Sequence, residues 1–176
     1  MRIAAELPPT GHAVIIGASM AGLCAARVLS DHFPRVSVYD RDALPDLPVD
    51  RSAIPQGQHV HLLMARGAHE LEGLFPGLLD DMAADGMPVV LNAPGEIHFA
   101  ASGHVLGTGH SGQDGFTGYL PSRALLEWHV RERVKALPGV EIVSGDVDEP
   151  VFDPVAGRVI GVVLDGGLSI PADLVV

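Results

Sequence analysis

The chain has one cysteine, one tryptophan and half as many basic as acidic residues, and each scarcity removes a class of explanation. A lone cysteine excludes an internal disulfide and a multi-thiolate zinc site. Eleven lysines and arginines against twenty-two acids leave a formal charge of −11. That balance opposes binding to nucleic acid or anionic membranes, where positive patches supply much of the affinity. A phosphate-bearing ligand must then be held by local geometry and a few arginines. No apolar run approaches the ~18 residues of a membrane span. The most apolar stretch, Ala13 to Ala26, lacks the flanks of a targeting signal: Arg2 is offset by Glu6, and Pro8-Pro9 interrupts the approach. Leu23 also stands where a lipoprotein signal would place a small residue before Cys24. These features read as a cytoplasmic protein, with Cys24 a small packing residue of the first helix.

What is present is enough for one globular domain. At 176 residues, 47% apolar and 19% charged, the chain can bury a real core. Glycine and proline make up about a fifth of it, below the roughly 25–30% that marks low complexity.

The most informative segment is AVIIGASMAG, Ala13 to Gly22. It reads as a buried strand from Ala13 to Ile16, a tight turn opening at Gly17, and a helix from about Met20 to Ser30. A turn of that kind presents backbone N–H groups to a pyrophosphate at a helix N-terminus. The candidate contacts are Gly17, Ala18, Ser19, Met20, Ala21 and Gly22. A second strand, Arg35 to Asp40, ends in an acid at the distance where a ribose diol acceptor belongs. Asp40 also argues against a 2′-phosphate, which it would repel. A single glycine-rich match fits an ordinary tight turn equally well; the flanking strand, the helix and the acid turn it into a nucleotide signal. The residues alone leave FAD and NAD open, because both use this unit.

Helical spacing places Ala21, Ala25, Val28 and Leu29 on the sheet-facing side of the first helix. Asp42 to Gln58 is a long loop punctuated by Pro45, Pro48 and Pro55, with Arg51 in its middle; loops of that length are commonly functional. Arg51 fits either a loop ion pair or a ligand contact. Helical patterns follow at about Leu62 to Leu74 and Gly77 to Ala84. Short β-like pieces, including Glu96 to Ala100 and His104 to Gly107, are scattered through Val89 to Gly118, so residues 62–118 read as an insertion. Ser122 is a candidate N-cap for a helix from Arg123 to Leu137, with Leu126, Val130, Val134 and Leu137 as its buried stripe. Arg123 fits a solvated first-turn residue or a ligand contact. Glu141 to Ser144 reads as a third parallel strand. Val151 to Asp153 and Val159 to Leu164 read as a β-meander, and Ala172 to Val176 as a buried terminal strand. His59 and His61 share an i, i+2 spacing, but no third ligand is evident for a metal. No nucleophile–base pair or catalytic carboxylate pair stands out, and the catalytic residues are unassigned.

Together VIIGASMAGLCAARVL, VSVYDRD, IPQGQHVH, LPSRALLEWHV and the final ADLVV resemble the N-terminal part of FAD-dependent oxidoreductases of the para-hydroxybenzoate hydroxylase-like superfamily. The flavin monooxygenase and geranylgeranyl-reductase-like branch is the nearest in pattern. The resemblance implies an α/β fold: a Rossmann-like FAD-binding parallel sheet with inserted helices and short strands, then a β-meander. It implies FAD on Gly17 to Gly22, its adenosine ribose on Asp40, and adenine beside Arg41 and the backbone of Val147. It also implies that Arg123 reaches the pyrophosphate or ribityl region, with Arg51 and His59 near the flavin. Ser19 departs from the family's second glycine, where backbone and phosphate approach closely.

As a whole the resemblance implies an FAD-dependent monooxygenase with NAD(P)H as reductant and a small organic substrate; a reductase or halogenase would share the same half. It further implies that the chain is C-terminally truncated, since an Ala-Thr-Gly-like turn, a Gly-Asp segment and the substrate half would follow Val176. A non-catalytic nucleotide-binding remnant is the alternative.

Overall fold

A computed structural model describes residues 11–51, 61–91, 100–105, 117–155 and 157–176. In chain order these form β1 (His12–Ile16), α1 (Met20–Leu29), β2 (Arg35–Asp40), α2 (Ala65–Leu74), α3 (Leu78–Ala84), β3 (Val89–Leu91), β4 (Ala100–Ala101) and β5 (His104–Val105). There follow β6 (Thr117–Tyr119), α4 (Arg123–Lys135), β7 (Val140–Ser144), β8 (Val147–Asp153), β9 (Arg158–Leu164), β10 (Ser169–Pro171) and β11 (Leu174–Val175). The chain divides into two compact units, residues 1–55 with 124–176, and residues 56–123.

The first unit is built on a parallel sheet ordered β11-β1-β2-β7. His12 to Ile16 pair in register with Arg35 to Tyr39, and Val36 to Asp40 with Val140 to Ser144. The terminal strand adds to the other side of β1 through Ala13 with Leu174 and Val14 with Val175. Five consecutive residues of β2, Val36 to Asp40, are buried. Such a run marks a parallel strand covered on both faces. On one of them lies the antiparallel meander β8-β9-β10, and Val14, Tyr39, Val162 and Ala172 form a shared core, with Val143, Val147 and Val175 packed against it. Mixed α/β architecture with a Rossmann-like parallel sheet and a meander is what the pattern predicts.

The buried face of α1 differs from the expectation. Leu23 and Ala26 are buried, whereas Val28 is 36% exposed. Gly22 is the cause. A Cβ there would overlap the Gly17 carbonyl oxygen and lie 3.2 Å from Ile15. The helix is therefore rotated so that its glycine abuts the turn. Ala26, one helical turn beyond Gly22, and Leu23 follow it inward. Cys24 is half-buried, and burial pushes its thiol pKa up, as suits a packing residue.

In the second unit, Ala68, Leu71, Phe75, Leu78 and Met82 are the buried side chains of α2 and α3 and of the turn between them. Glu72 accepts hydrogen bonds from the Gly77 and Leu79 amides at 2.5 and 3.1 Å, capping the start of α3. Helix α2 begins at Ala65 rather than Leu62, because Leu63 bridges to Tyr119 in extended conformation. Strand β3 pairs antiparallel with β6, and β4 with β5. The β-like reading of Glu96 to Phe99 and of Leu106 and Gly107 lies outside the described residues. Among the described residues no helix is long and apolar enough to cross a membrane.

Candidate functional site

The site forms where the C-terminal ends of β1, β2 and β7 meet the start of α1. Gly17 leaves β1 with φ +98°, a conformation that favours glycine. Its amide donates to the Tyr39 carbonyl at 2.7 Å, and the next amide, Ala18, donates to Asp40 Oδ2 at 2.7 Å. The turn is thus tied to the end of β2 by two short bonds. Ser19 is the N-cap of α1, yet its side chain makes no capping bond; its hydroxyl donates to Glu127 Oε2 at 3.3 Å. The first N–H groups of a helix have no intrahelical partner, and with the uncapped start of α1 they form a donor set of the kind that binds anions.

Asp40 is the centre of the network. Besides Ala18, it accepts the Asp42 amide on Oδ1 at 2.9 Å and Arg51 Nη2 at 2.8 Å. Burial works to raise its pKa; the Asp42 and Ala18 amides and Arg51 outweigh burial and hold the carboxyl below its ordinary value. Asp40 therefore stays an acceptor.

Arg51 reaches in from the 42–51 loop and is only 7% exposed. Its Nη1 donates to Glu127 Oε1 at 2.7 Å and its Nη2 to Asp42 at 3.0 Å, in addition to Asp40. Nη1 also lies 3.4 Å from the Ala18 carbonyl. Burial works to lower the Arg51 pKa, and the Glu127 and Asp40 hydrogen bonds more than offset it. The loop itself is tied to α4, where Trp128 Nε1 donates to the Asp46 carbonyl at 2.8 Å and Arg131 Nη2 donates to the Pro45 carbonyl. Burial shifts the Arg131 pKa down despite Glu127 at 4.0 Å.

Part of this network lines a cleft of about 300 Å³. Ile16, Gly17 and Ser19 contribute from the turn, Tyr39 to Asp42 from β2 and its exit, Arg51 from the loop, and Gly145 to Val147 from the step between β7 and β8. Of the residues expected at a nucleotide site, Gly17, Ser19, Asp40, Arg41, Arg51 and Val147 meet here. Ala18 is buried beneath them, and Met20, Ala21 and Gly22 form the first turn of α1. Arg123 opens α4 but belongs to the second compact unit. His59 lies outside the described residues.

Sequence patterning does not reveal Glu127. As a charged residue it reads as solvent-facing, although it lies three and seven residues before Val130 and Val134 at the edge of the apolar stripe; it is 3% exposed and holds both Ser19 and Arg51. That spacing is the local sign; the partner Arg51 lies 76 residues away. Arg51 takes the ion-pair role, on the acid expected to hold a ribose. The arrangement offers acceptors for a diol and donors for an anion, the groups needed to hold a nucleotide.

Comparison with known proteins agrees with the fold. No family model matches the chain. It is 53% identical over 177 residues to Protein Rv3254 of Mycobacterium tuberculosis (strain ATCC 25618 / H37Rv), across 96% of this chain and 37% of that protein. Among solved structures, it is similar to PqsL, a probable FAD-dependent monooxygenase from Pseudomonas aeruginosa. The TM-score is 0.64 at 20% identity, over 93% of this chain and 41% of PqsL. It is also similar to 2-methyl-3-hydroxypyridine-5-carboxylic acid oxygenase, with a TM-score of 0.62 at 23% identity, over 93% of this chain and 38% of the oxygenase. The chain thus spans about two fifths of the length of the relatives it matches, and its fold is that of the corresponding portion of PqsL and of the pyridine carboxylic acid oxygenase.

Proposed function

We propose that this chain is the portion of an FAD-dependent oxidoreductase, monooxygenase-like in type, that holds the adenosine and diphosphate of the cofactor. The observation that carries the reading is the junction of Asp40 with the Gly17–Ala18 turn. An ionised acceptor and the start of a helix face one cleft, joined by the bond from the Ala18 amide to Asp40. The likeness in fold to PqsL, a probable FAD-dependent monooxygenase, supports FAD over NAD.

The residues fit such a group. Asp40 would accept from the ribose, the start of α1 would face the diphosphate, and Arg41 with Gly145 to Val147 would flank the adenine. Gly22 lets the turn sit tightly on the helix, because any side chain there would displace the Gly17 carbonyl. Arg51 forms part of the cleft wall and is held from behind by the buried Glu127. Bound FAD would supply the redox chemistry, with NAD(P)H as the source of electrons and a small organic molecule as substrate. We assign the protein to the cytoplasm, where NAD(P)H is available. A full-length protein that purifies yellow, or takes up FAD on reconstitution, is the expected result. A folded, colourless protein that FAD does not reconstitute would reject the reading.

A further inference from the structure

We propose that Arg51 and the ligand's ribose compete for Asp40: the guanidinium occupies an acceptor position that the diol needs, and it leaves Asp40 when the diol arrives, still tethered by Glu127. The inference rests on the nucleotide reading above and concerns what that site must do to open.

Lone pairs set the competition. An ionised carboxylate offers about four acceptor sites. Asp40 gives one to the Ala18 amide, one to the Asp42 amide and one to Arg51. About one is left, while a vicinal diol donates two hydrogen bonds. One occupant must withdraw. The two amides are backbone: Ala18 is part of the phosphate turn, and Asp42 follows β2 directly, so removing either would unravel the site. Arg51 is a side chain, and it alone can swing.

Its other contacts show how far it must go. Nη1 remains on Glu127 at 2.7 Å, and Asp42 accepts Nη2 at 3.0 Å beside Asp40. Leaving Asp40 breaks one of three carboxylate contacts and keeps two. Glu127 is the anchor, since it is buried, belongs to α4 and also receives the Ser19 hydroxyl. Arg51 therefore stays beside the phosphate turn, where Nη1 already lies 3.4 Å from the Ala18 carbonyl. The cost of displacing it from Asp40 then weighs on a neutral nucleoside, which gains only the diol contact, whereas a diphosphate also gains a cation.

The two effects separate in an experiment with two probes. Calorimetric titration of the full-length protein with adenosine and with ADP should show opposite responses to Arg51→Gln. Adenosine should bind about tenfold tighter; ADP gains the same factor at its diol but loses the cation at its two phosphates, about a hundredfold or two charge-assisted hydrogen bonds, and should bind about tenfold weaker. Both probes weakening together, or neither changing, would overturn the competition while leaving the nucleotide reading intact. Failure of the wild-type protein to bind adenosine, ADP or FAD would overturn both. If the variant does not fold, crystal structures of the wild-type protein with and without ADP decide. Arg51 Nη2 should stand more than about 3.5 Å from Asp40 Oδ1 in the complex, outside hydrogen-bond range; a pair that persists would overturn the proposal.

Discussion

Arg35 at the first position of β2 and Asp40 at its last each join an ion pair, one half in water and the other sealed from it. Arg35 meets Glu141 across the β2–β7 register at 2.9 Å, with 59% and 47% of the two side chains exposed. Ser37 shares Glu141, and that hydroxyl and Arg35 hold its carboxyl below the ordinary value. Asp40 meets Arg51 at 2.8 Å, with 8% and 7% exposed, inside a cluster that also holds Asp42 and Glu127. The same strand thus carries a solvated pair and a largely buried one. An exposed pair contributes about 0–1 kcal/mol, whereas removing one member of a buried pair strands the others and costs about 3–5 kcal/mol. The energetic weight of β2 lies at the end that faces the cleft.

The largest effect should come from Arg51→Met, which takes the shared cation from Asp40, Asp42 and Glu127 and leaves Glu127 with Arg131 at 4.0 Å. Chemical denaturation should show a loss of about 3–5 kcal/mol. A loss under about 1 kcal/mol would place this cluster in the same class as Arg35–Glu141 and erase the contrast.

Next is Gly22→Ala. Alanine in a helix gains about 1 kcal/mol over glycine, but here the new Cβ would overlap the Gly17 carbonyl oxygen. Backbone on both sides cannot yield as a flexible side chain would, so overpacking of about 1–3 kcal/mol should outweigh the propensity. Thermal melts should show a lower midpoint; a raised one would mean that the turn moves freely.

A smaller effect concerns acid. The pKa of Asp40 is depressed in the fold, so its contribution is complete above its unfolded value of about 3.9 and fades as pH falls below that. The stability gap between wild type and Asp40→Asn should be wide at pH 7 and narrow below about pH 4. A gap that widens in acid would contradict the assignment of Asp40 as a stabilised carboxylate.

Smallest is Arg35→Ala, expected to change stability by less than about 1 kcal/mol and to lose even that at high salt.

The sheet and the turn are legible in the sequence because their signals are local. β1, the turn at Gly17, α1 and the run to Asp40 follow from strand and helix periods and from one glycine-rich turn, and the meander follows from its turn residues. The buried face of α1 is not, because apolar count outvotes the one steric constraint that sets the rotation, Gly22 against Gly17. The site is legible only in part. Asp40 and the turn lie close in sequence, whereas Glu127 meets Arg51 across 76 residues. Charged residues on a helix read as solvent-facing until the partner that buries them is known. Arg51 itself is visible as a lone cation in a long loop, but nothing local tells which acid it chooses.

Whether Asp40 is the ribose acceptor of an adenine dinucleotide site is tested most directly by an equilibrium titration with FAD, followed by flavin fluorescence, of the full-length protein and its Asp40→Asn variant. Stoichiometric binding by the wild type is expected, with an affinity at least about tenfold weaker in a folded variant, the loss of about one charge-assisted hydrogen bond. Equal affinity in the two proteins, or no binding by the wild type, would contradict that role for Asp40.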